Sequence, residues 1–234
     1  MAYDVLLLDA DNTLFDFDRA EEQALFCSFA LCNLPYSAQS LGLYRSINSK
    51  LWRDFEQGLI TKEAVQHERF SRLFNTLKIV YDVAAFRSVF VNELGKGAFL
   101  LPGALEVCHM LSQSKLLYII TNGLSIVQHA RLAASALRPY ITNMFVSEAI
   151  GHQKPLAAFF DVVFNNIGIA RSAALIVGDS LTADIQGGYN AAVDTCWFNP
   201  RRLDNNTTIH PTYTIHQLSE LPDLCTATKH TDLL

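Results

Sequence analysis

The chain opens on an unbroken apolar run, Val5-Leu6-Leu7-Leu8, and follows it at once with Asp9-Ala10-Asp11-Asn12-Thr13. Such a run, stopped by a polar turn, fits a strand buried in an α/β sheet. Carboxylates at its end are costly to desolvate unless something pairs with them or exploits them. In open α/β sheets the ligand sites lie at the carboxyl ends of strands, where both acids fall. Two acids separated by one residue point to opposite sides in extended geometry, so a turn must begin at Asp9 for both to face one ligand. Asn12 suits that turn, because Asn tolerates left-handed backbone. An isolated Asp-x-Asp-x-Thr serves equally well as a helix cap, and the rest of the chain has to decide.

Three further signals stand at the ends of expected strands. Leu116-Leu117-Tyr118-Ile119-Ile120 runs into Thr121-Asn122-Gly123, just before an amphipathic segment from Ser125 to Leu137. A strand, turn and helix start of this kind offers hydroxyl, amide and backbone donors to an anion, although alone it is most often only a turn. Lys154-Pro155 precedes the helical pattern Phe159, Val163, Phe164, Ile167, which puts the lysine at a loop-to-helix junction where a solvated side chain is the ordinary outcome. Ala174-Leu175-Ile176-Val177 leads into Gly178-Asp179, with Asp184 five residues further on. Asp184 falls where a helix dipole favours a carboxylate, whereas Asp179 ends a buried strand and has less structural excuse.

If these groups converge, charge decides the chemistry. Asp9, Asp11, Asp179 and Asp184 carry four negative charges against one positive charge on Lys154. The surplus repels a phosphate unless a cation intervenes. An all-oxygen ligand set without His or Cys favours a hard ion, Mg²⁺ above Zn²⁺.

The region from about Asp16 to Gly97 reads as helices, over roughly Arg19 to Cys32, Ser37 to Gln57, Thr61 to Leu77 and Asp82 to Lys96. After Pro102, strands alternate with helices near Gly103 to Ser112, Ser125 to Leu137, Ala157 to Gly168 and Leu181 to Ala191. That alternation implies an α/β fold, a doubly wound, Rossmann-like parallel sheet, with an all-helical cap inserted after the first strand. The expected division is a core of residues 1–16 and 98–234 and a cap of 17–97. The polar tail after Cys225 is expected to fray.

At 234 residues, half of them hydrophobic, the chain can bury a large core. A net charge of −5 with no basic stripe argues against a nucleic acid polymer as partner. Five cysteines without metal-ligand spacing read as reduced, packed thiols, which suits a cytoplasmic protein. Asp4 stands where a signal peptide would be basic, and no apolar run approaches membrane-spanning length, so no membrane partner is expected.

Asp9 to Thr13, Thr121, Lys154-Pro155 and Gly178-Asp179 through Asp184 stand in the order of the four motifs of the haloacid dehalogenase (HAD) superfamily of phosphotransferases, which the chain resembles over nearly its whole length. Leu51-Trp52-Arg53-Asp54-Phe55-Glu56-Gln57-Gly58-Leu59-Ile60-Thr61 and Gln66-His67-Glu68-Arg69-Phe70 resemble the cap of bacterial pyrimidine 5'-nucleotidases in that superfamily. The resemblance implies that Asp9 is the nucleophile and Asp11 the general acid and base. It also implies Mg²⁺ held by the Asp9 and Asp179 carboxylates and the Asp11 carbonyl, with Asp184 holding a metal-bound water or Lys154. Thr121 and Asn122 would bind phosphoryl oxygens, with Thr13 among the substrate-binding groups, and Lys154 would offset charge on Asp9 and the phosphoryl group. Asn12 departs from the Gly that many members carry.

The superfamily's dehalogenases lack an acid at the position of Asp11, because halide leaves without a proton. An alkoxide needs one, so Asp11 favours phosphate ester cleavage. Trp52 and Phe55 are expected to pack the cap, the alternative being a stack on a nucleobase. His67 and Arg69 are expected to be solvated unless they reach the substrate. The expected activity is Mg²⁺-dependent phosphomonoester hydrolysis of a small phosphorylated metabolite, of the pyrimidine nucleoside 5'-monophosphate type. The alternatives are a sugar-phosphate or phosphoglycolate phosphatase, a phosphomutase, or a non-enzymatic phosphate-binding protein.

Overall fold

The computed structural model describes residues 3–226. The tail expected to fray runs beyond these, so residues 227–234 lie outside the description. The described residues divide into two compact units, one of residues 3–16 and 99–226 and one of Phe17–Ala98.

In the first unit six strands, β1 (Val5–Leu8), β2 (Leu116–Thr121), β3 (Asn143–Val146), β4 (Ala174–Gly178), β5 (Asp194–Phe198) and β6 (Tyr213–Ile215), form one sheet in the order β3-β2-β1-β4-β5-β6. Every neighbouring pair is parallel. β1 lies in the middle, with Leu8 opposite Ile119 on one side and Val177 on the other, so the polar ends of β1, β2 and β4 finish level. The strand order reverses beside β1, the position where open α/β sheets carry their ligands.

Period-two alternation builds the two faces of this sheet. Leu6, Leu8, Leu117, Ile119, Leu175 and Val177 pack one way, against Val107 and Leu111 of a helix at Ala104–Ser112 and Leu132 of another at Ser125–Ala134. Val5, Leu7, Tyr118, Ile120 and Ile176 pack the other way, against Phe159, Phe160, Val163 and Phe164 of the helix Ala157–Ile167. All four β1 residues are buried, each worth about 1.5–3 kcal/mol of transfer free energy.

Two helices differ from their expected extents. The Ser125 helix ends at Ala134, because Ser135 turns extended and its Oγ accepts the Leu137 N–H at 3.1 Å. The segment expected as one helix from Leu181 to Ala191 starts as a π-turn over Leu181–Ile185 and becomes α-helical only over Gln186–Ala191. Strands β3, β5 and β6 carry no signal singled out in the sequence: β3 has four residues starting on Asn143, and β6 has three.

The second unit is all helical, with α1 (Phe17–Leu31), α2 (Ala38–Glu56), α3 (Lys62–Leu77) and α4 (Val83–Gly95). Ser37, Thr61 and Asp82 cap three of them, their side chains accepting the N–H groups of Ser40, Ala64 and Ala84, each worth about 1 kcal/mol. α1 packs on α4 and α2 on α3. Phe29, Phe70, Phe74, Phe86 and Phe90 fill the bundle edge to face, with Phe74 and Phe86 centroids 4.9 Å apart.

Arg69 departs from the solvated position expected of it. It is 2% exposed, its guanidinium lying 4.8 Å from the centroid of Phe70 and 5.0 Å from that of Phe90. Phe55 packs in a small cluster with Leu51 and Val65, and Trp52 sits half-buried against it, edge to face at 5.6 Å.

Candidate active site

The chain leaves β1 with Asp9, whose N–H still bonds to the Val177 carbonyl across the sheet at 2.8 Å. It then turns tightly: Leu14 and Phe15 both donate to the Ala10 carbonyl, and the Asn12 N–H donates to the Phe15 carbonyl at 2.8 Å. Asn12 has φ 60°, the left-handed conformation that its type tolerates and this turn demands.

Lys154 lies at the centre, 1% exposed. Its ammonium donates to Asp9 Oδ1 at 2.6 Å, to Asp184 Oδ1 at 2.6 Å and to the Ile120 carbonyl at 3.0 Å, satisfying all three protons. Burial alone would lower its pKa, but Asp184 and Asp9 outweigh that and hold it well above the ordinary lysine value. Asn122 fixes the lysine's backbone reciprocally, donating to the Lys154 carbonyl and accepting its N–H, both at 2.9 Å. The Asn122 side chain therefore serves the lysine loop.

Asp184 is 1% exposed and accepts the Ser180 N–H on its second oxygen at 3.1 Å. A Cβ at Gly178 would lie 2.1 Å from that oxygen, so only glycine leaves room for it. Asp179 is held through its backbone: its N–H donates to Thr13 Oγ1 at 3.1 Å and its carbonyl accepts Trp197 Nε1 at 2.9 Å. Thr13 is fully buried, with its hydroxyl turned to that amide. Thr121 Oγ1, 1% exposed, accepts from the Gly123 N–H and from Gln128 Nε2, both at 3.0 Å.

Asp11 is held on both oxygens. Arg131 Nη1 donates to Oδ1, and Gln128 Nε2 donates to Oδ2 at 2.7 Å. Neither Gln128 nor Arg131 was singled out in the sequence, although a signal was there. Gln128 lies four residues after Leu124 and Arg131 four after Val127, so two polar side chains occupy the apolar face of an amphipathic helix.

Oxygens of Asp9, Asp179 and Asp184 come within 4.8 Å of one another, in the geometry of a cation site. Burial, opposed by Lys154 and aided by Asp184 and Asp11, pushes Asp9 up to about 7. Burial and then the neighbouring Asp9 and Asp184 push Asp179 well above the usual carboxylate range. One lysine cannot neutralise this cluster. A divalent, oxygen-seeking ion can, and the residues present fit Mg²⁺.

A parallel α/β core with an inserted helical cap, and an aspartate cluster at the strand ends, define the class. The model of the haloacid dehalogenase-like hydrolases matches residues 3–192, and the chain belongs to that family. It is 42% identical over 220 residues to "Putative HAD-hydrolase YfnB" of Bacillus subtilis, covering 94% of each chain. The magnesium-bound crystal structure of YfnB superposes with a TM-score of 0.92 at 40% identity, covering 97% of this chain and 100% of that one. Pyrimidine 5'-nucleotidase PynA of Streptococcus pneumoniae is 38% identical over 225 residues, covering 95% of both. Pyrimidine 5'-nucleotidase YjjG of Escherichia coli is 34% identical, covering 96% of this chain and 98% of that protein. The chain is thus a Mg²⁺-dependent hydrolase of a small phosphorylated metabolite, acting through its aspartate cluster. Among the described residues no helix is long and apolar enough to cross a membrane.

Proposed function

We propose that the chain hydrolyses pyrimidine nucleoside 5'-monophosphates through an aspartyl-phosphate on Asp9. The observation that carries the substrate class is the likeness to two pyrimidine 5'-nucleotidases along more than nine-tenths of the chain, cap included. In the mechanism, a carboxylate oxygen of Asp9 attacks phosphorus in line while the ester P–O bond breaks. Asp11, protonated for this step, gives its proton to the departing 5'-oxygen, and the nucleoside leaves. Asp11 then takes a proton from water, whose oxygen attacks the same phosphorus and expels Asp9, releasing inorganic phosphate.

Lys154 holds Asp9 in aim and offsets its charge, and Thr121 with the backbone N–H groups after β2 receives phosphoryl oxygens. Asn122 and Thr13 act indirectly, one holding the Lys154 loop and the other the Asp179 loop. Asp9, Asp179 and the Asp11 carbonyl would hold Mg²⁺; Asp184, both of whose oxygens already accept hydrogen bonds, would reach it through water. Bound there, the ion neutralises the charge that would otherwise keep an anionic ester away from an anionic nucleophile.

The test is kcat/KM for pyrimidine and purine nucleoside 5'-monophosphates, hexose phosphates and phosphoglycolate, with product analysis to exclude transfer to sugar. Pyrimidine nucleotides should rank first. Of the two cap aromatics Trp52 is the more exposed, and if it stacks on the base Trp52→Ala should lose activity selectively on nucleotides, base stacking being worth about 1–3 kcal/mol. No preference among the esters would overturn the nucleotidase reading and leave the phosphohydrolase standing.

A further inference from the structure

Two buried polar side chains on one helix grip both oxygens of the carboxylate to which the mechanism assigns proton transfer. Arg131 is fully buried and Gln128 is 2% exposed. They stand three residues apart on the helix Ser125–Ala134, so they lie one above the other on the same face. Arg131 Nη1 donates to Asp11 Oδ1, and the same nitrogen lies 3.3 Å from Gln128 Oε1. Gln128 Nε2 spends one proton on Asp11 Oδ2 at 2.7 Å and the other on Thr121 Oγ1 at 3.0 Å.

The surroundings are shaped for this arrangement. The Arg131 guanidinium lies 4.6 Å from the ring centroid of Phe15, the residue whose carbonyl closes the turn after Asp11. At Gly123 a Cβ would fall 2.2 Å from Gln128 Nε2, so any larger residue would displace the amide from its two acceptors. Buried polar groups of this kind are expensive to desolvate, and Asp11 and Thr121 supply hydrogen-bond partners that offset the cost.

We infer that Gln128 and Arg131 are positioning residues for the proton transfer of Asp11, and that Gln128 ties the orientation of Asp11 to that of the phosphate-receiving hydroxyl of Thr121. A carboxylate on a short turn, 27% exposed in its side chain, otherwise has more than one rotamer open to it. Held from both oxygens, it keeps one. The inference rests on Asp11 as acid and base, and the experiment separates the two claims.

Gln128→Met and Arg131→Lys are made alone and together with Asp11→Asn. For each variant, kcat/KM is measured on p-nitrophenyl phosphate and on an alkyl ester, the best-cleaved nucleoside 5'-monophosphate or hexose phosphate, beside a thermal melt. A departing alkoxide needs the proton and a nitrophenolate does not. Misplacement of a reacting group costs roughly a hundredfold, and that loss should fall on the alkyl ester while the aryl ester suffers far less. The double variants should be no worse than Asp11→Asn alone, because an acid that is gone cannot be misplaced. Gln128→Met keeps the side chain's length and tests the claim even if Arg131→Lys fails to fold.

Equal losses on both esters, or losses that add to that of Asp11→Asn, would show a purely structural role and overturn the inference. Wild-type rates in Gln128→Met would overturn the part assigned to Gln128. If Asp11→Asn itself left the alkyl ester untouched, the acid and base assignment would fall, and the inference with it.

Discussion

Lys154 in the α/β unit and Arg69 in the helical unit are both almost fully buried cations, yet their surroundings differ in kind. Lys154 meets two carboxylates and a carbonyl, and two more acids crowd the same strand ends. Arg69 has Tyr44 Oη at 3.4 Å from one nitrogen, two aromatic faces beside it, and no hydrogen-bond partner for Nε or Nη2 among the described residues. The acid that feels its charge is Glu21, which accepts Asn48 Nδ2 at 2.7 Å and is pushed up to about 7 by burial despite Arg69. The helical unit buries one acid with one base, and aromatic rings absorb the cost. The strand ends gather four acids, Asp9, Asp11, Asp179 and Asp184, against two bases, Lys154 and Arg131, a surplus of negative charge that a further cation would settle. A buried charge by itself therefore marks no site; an uncompensated one at the carboxyl end of a parallel strand does.

The sharpest break between the regions should be in turnover. Asp9→Asn removes the attacking charge with little change of shape, so activity should vanish while the melt stays cooperative; turnover near wild type would remove Asp9 from the mechanism. Lys154→Met comes next. It strands Asp9 and Asp184 as buried carboxylates without their cation, and should cost about 3–5 kcal/mol in denaturant unfolding, along with activity. An unchanged unfolding midpoint would mean that the cluster is far better solvated than its burial shows.

The smallest effect belongs to the cap. Glu21 has its pKa raised from 4.5 to about 7, so the folded state holds its proton more tightly than the unfolded one. That contribution is fully present below 4.5 and is lost as pH rises through about 7. Arg69, Arg45, Tyr44 and Asp18 are the other groups facing it. In saturating Mg²⁺, Glu21→Gln should melt progressively higher than wild type over that window, by about a few degrees, with kcat unchanged. A constant offset at all pH values would place the Glu21 titration elsewhere.

The fold class was legible because strand ends announce themselves: four apolar residues of β1 followed by Asp9, and five of β2 followed by Thr121. The convergence of the acids followed from parallel pairing that brings those ends level. What escaped had no local signature. β3 and β6 are edge strands of four and three residues, too short for a strand period to stand out. The burial of Arg69 depends on Phe90, a residue of a different helix, which no spacing around position 69 reveals. Gln128 and Arg131 are the exception: as polar residues on the apolar face of an amphipathic helix they left a signal, which takes its meaning only from Asp11 against them. The π-turn at Leu181–Ile185, which helps place Asp184, breaks a helix period that the residues alone support.

The central claim is that the strand-end cluster carries surplus negative charge that Mg²⁺ neutralises, and it is tested most directly by thermal melting with and without Mg²⁺ across pH. In chelator, Asp9 has its pKa raised from 3.8 to about 7, so its contribution to stability is present below 3.8 and is lost as pH climbs through about 7. The Mg²⁺-induced rise in Tm should therefore grow from about pH 5 to about pH 8, as the cluster sheds protons, and should shrink sharply in Asp179→Asn. A Tm that ignores Mg²⁺ at every pH, or a Mg²⁺ shift left intact by Asp179→Asn, would contradict the account.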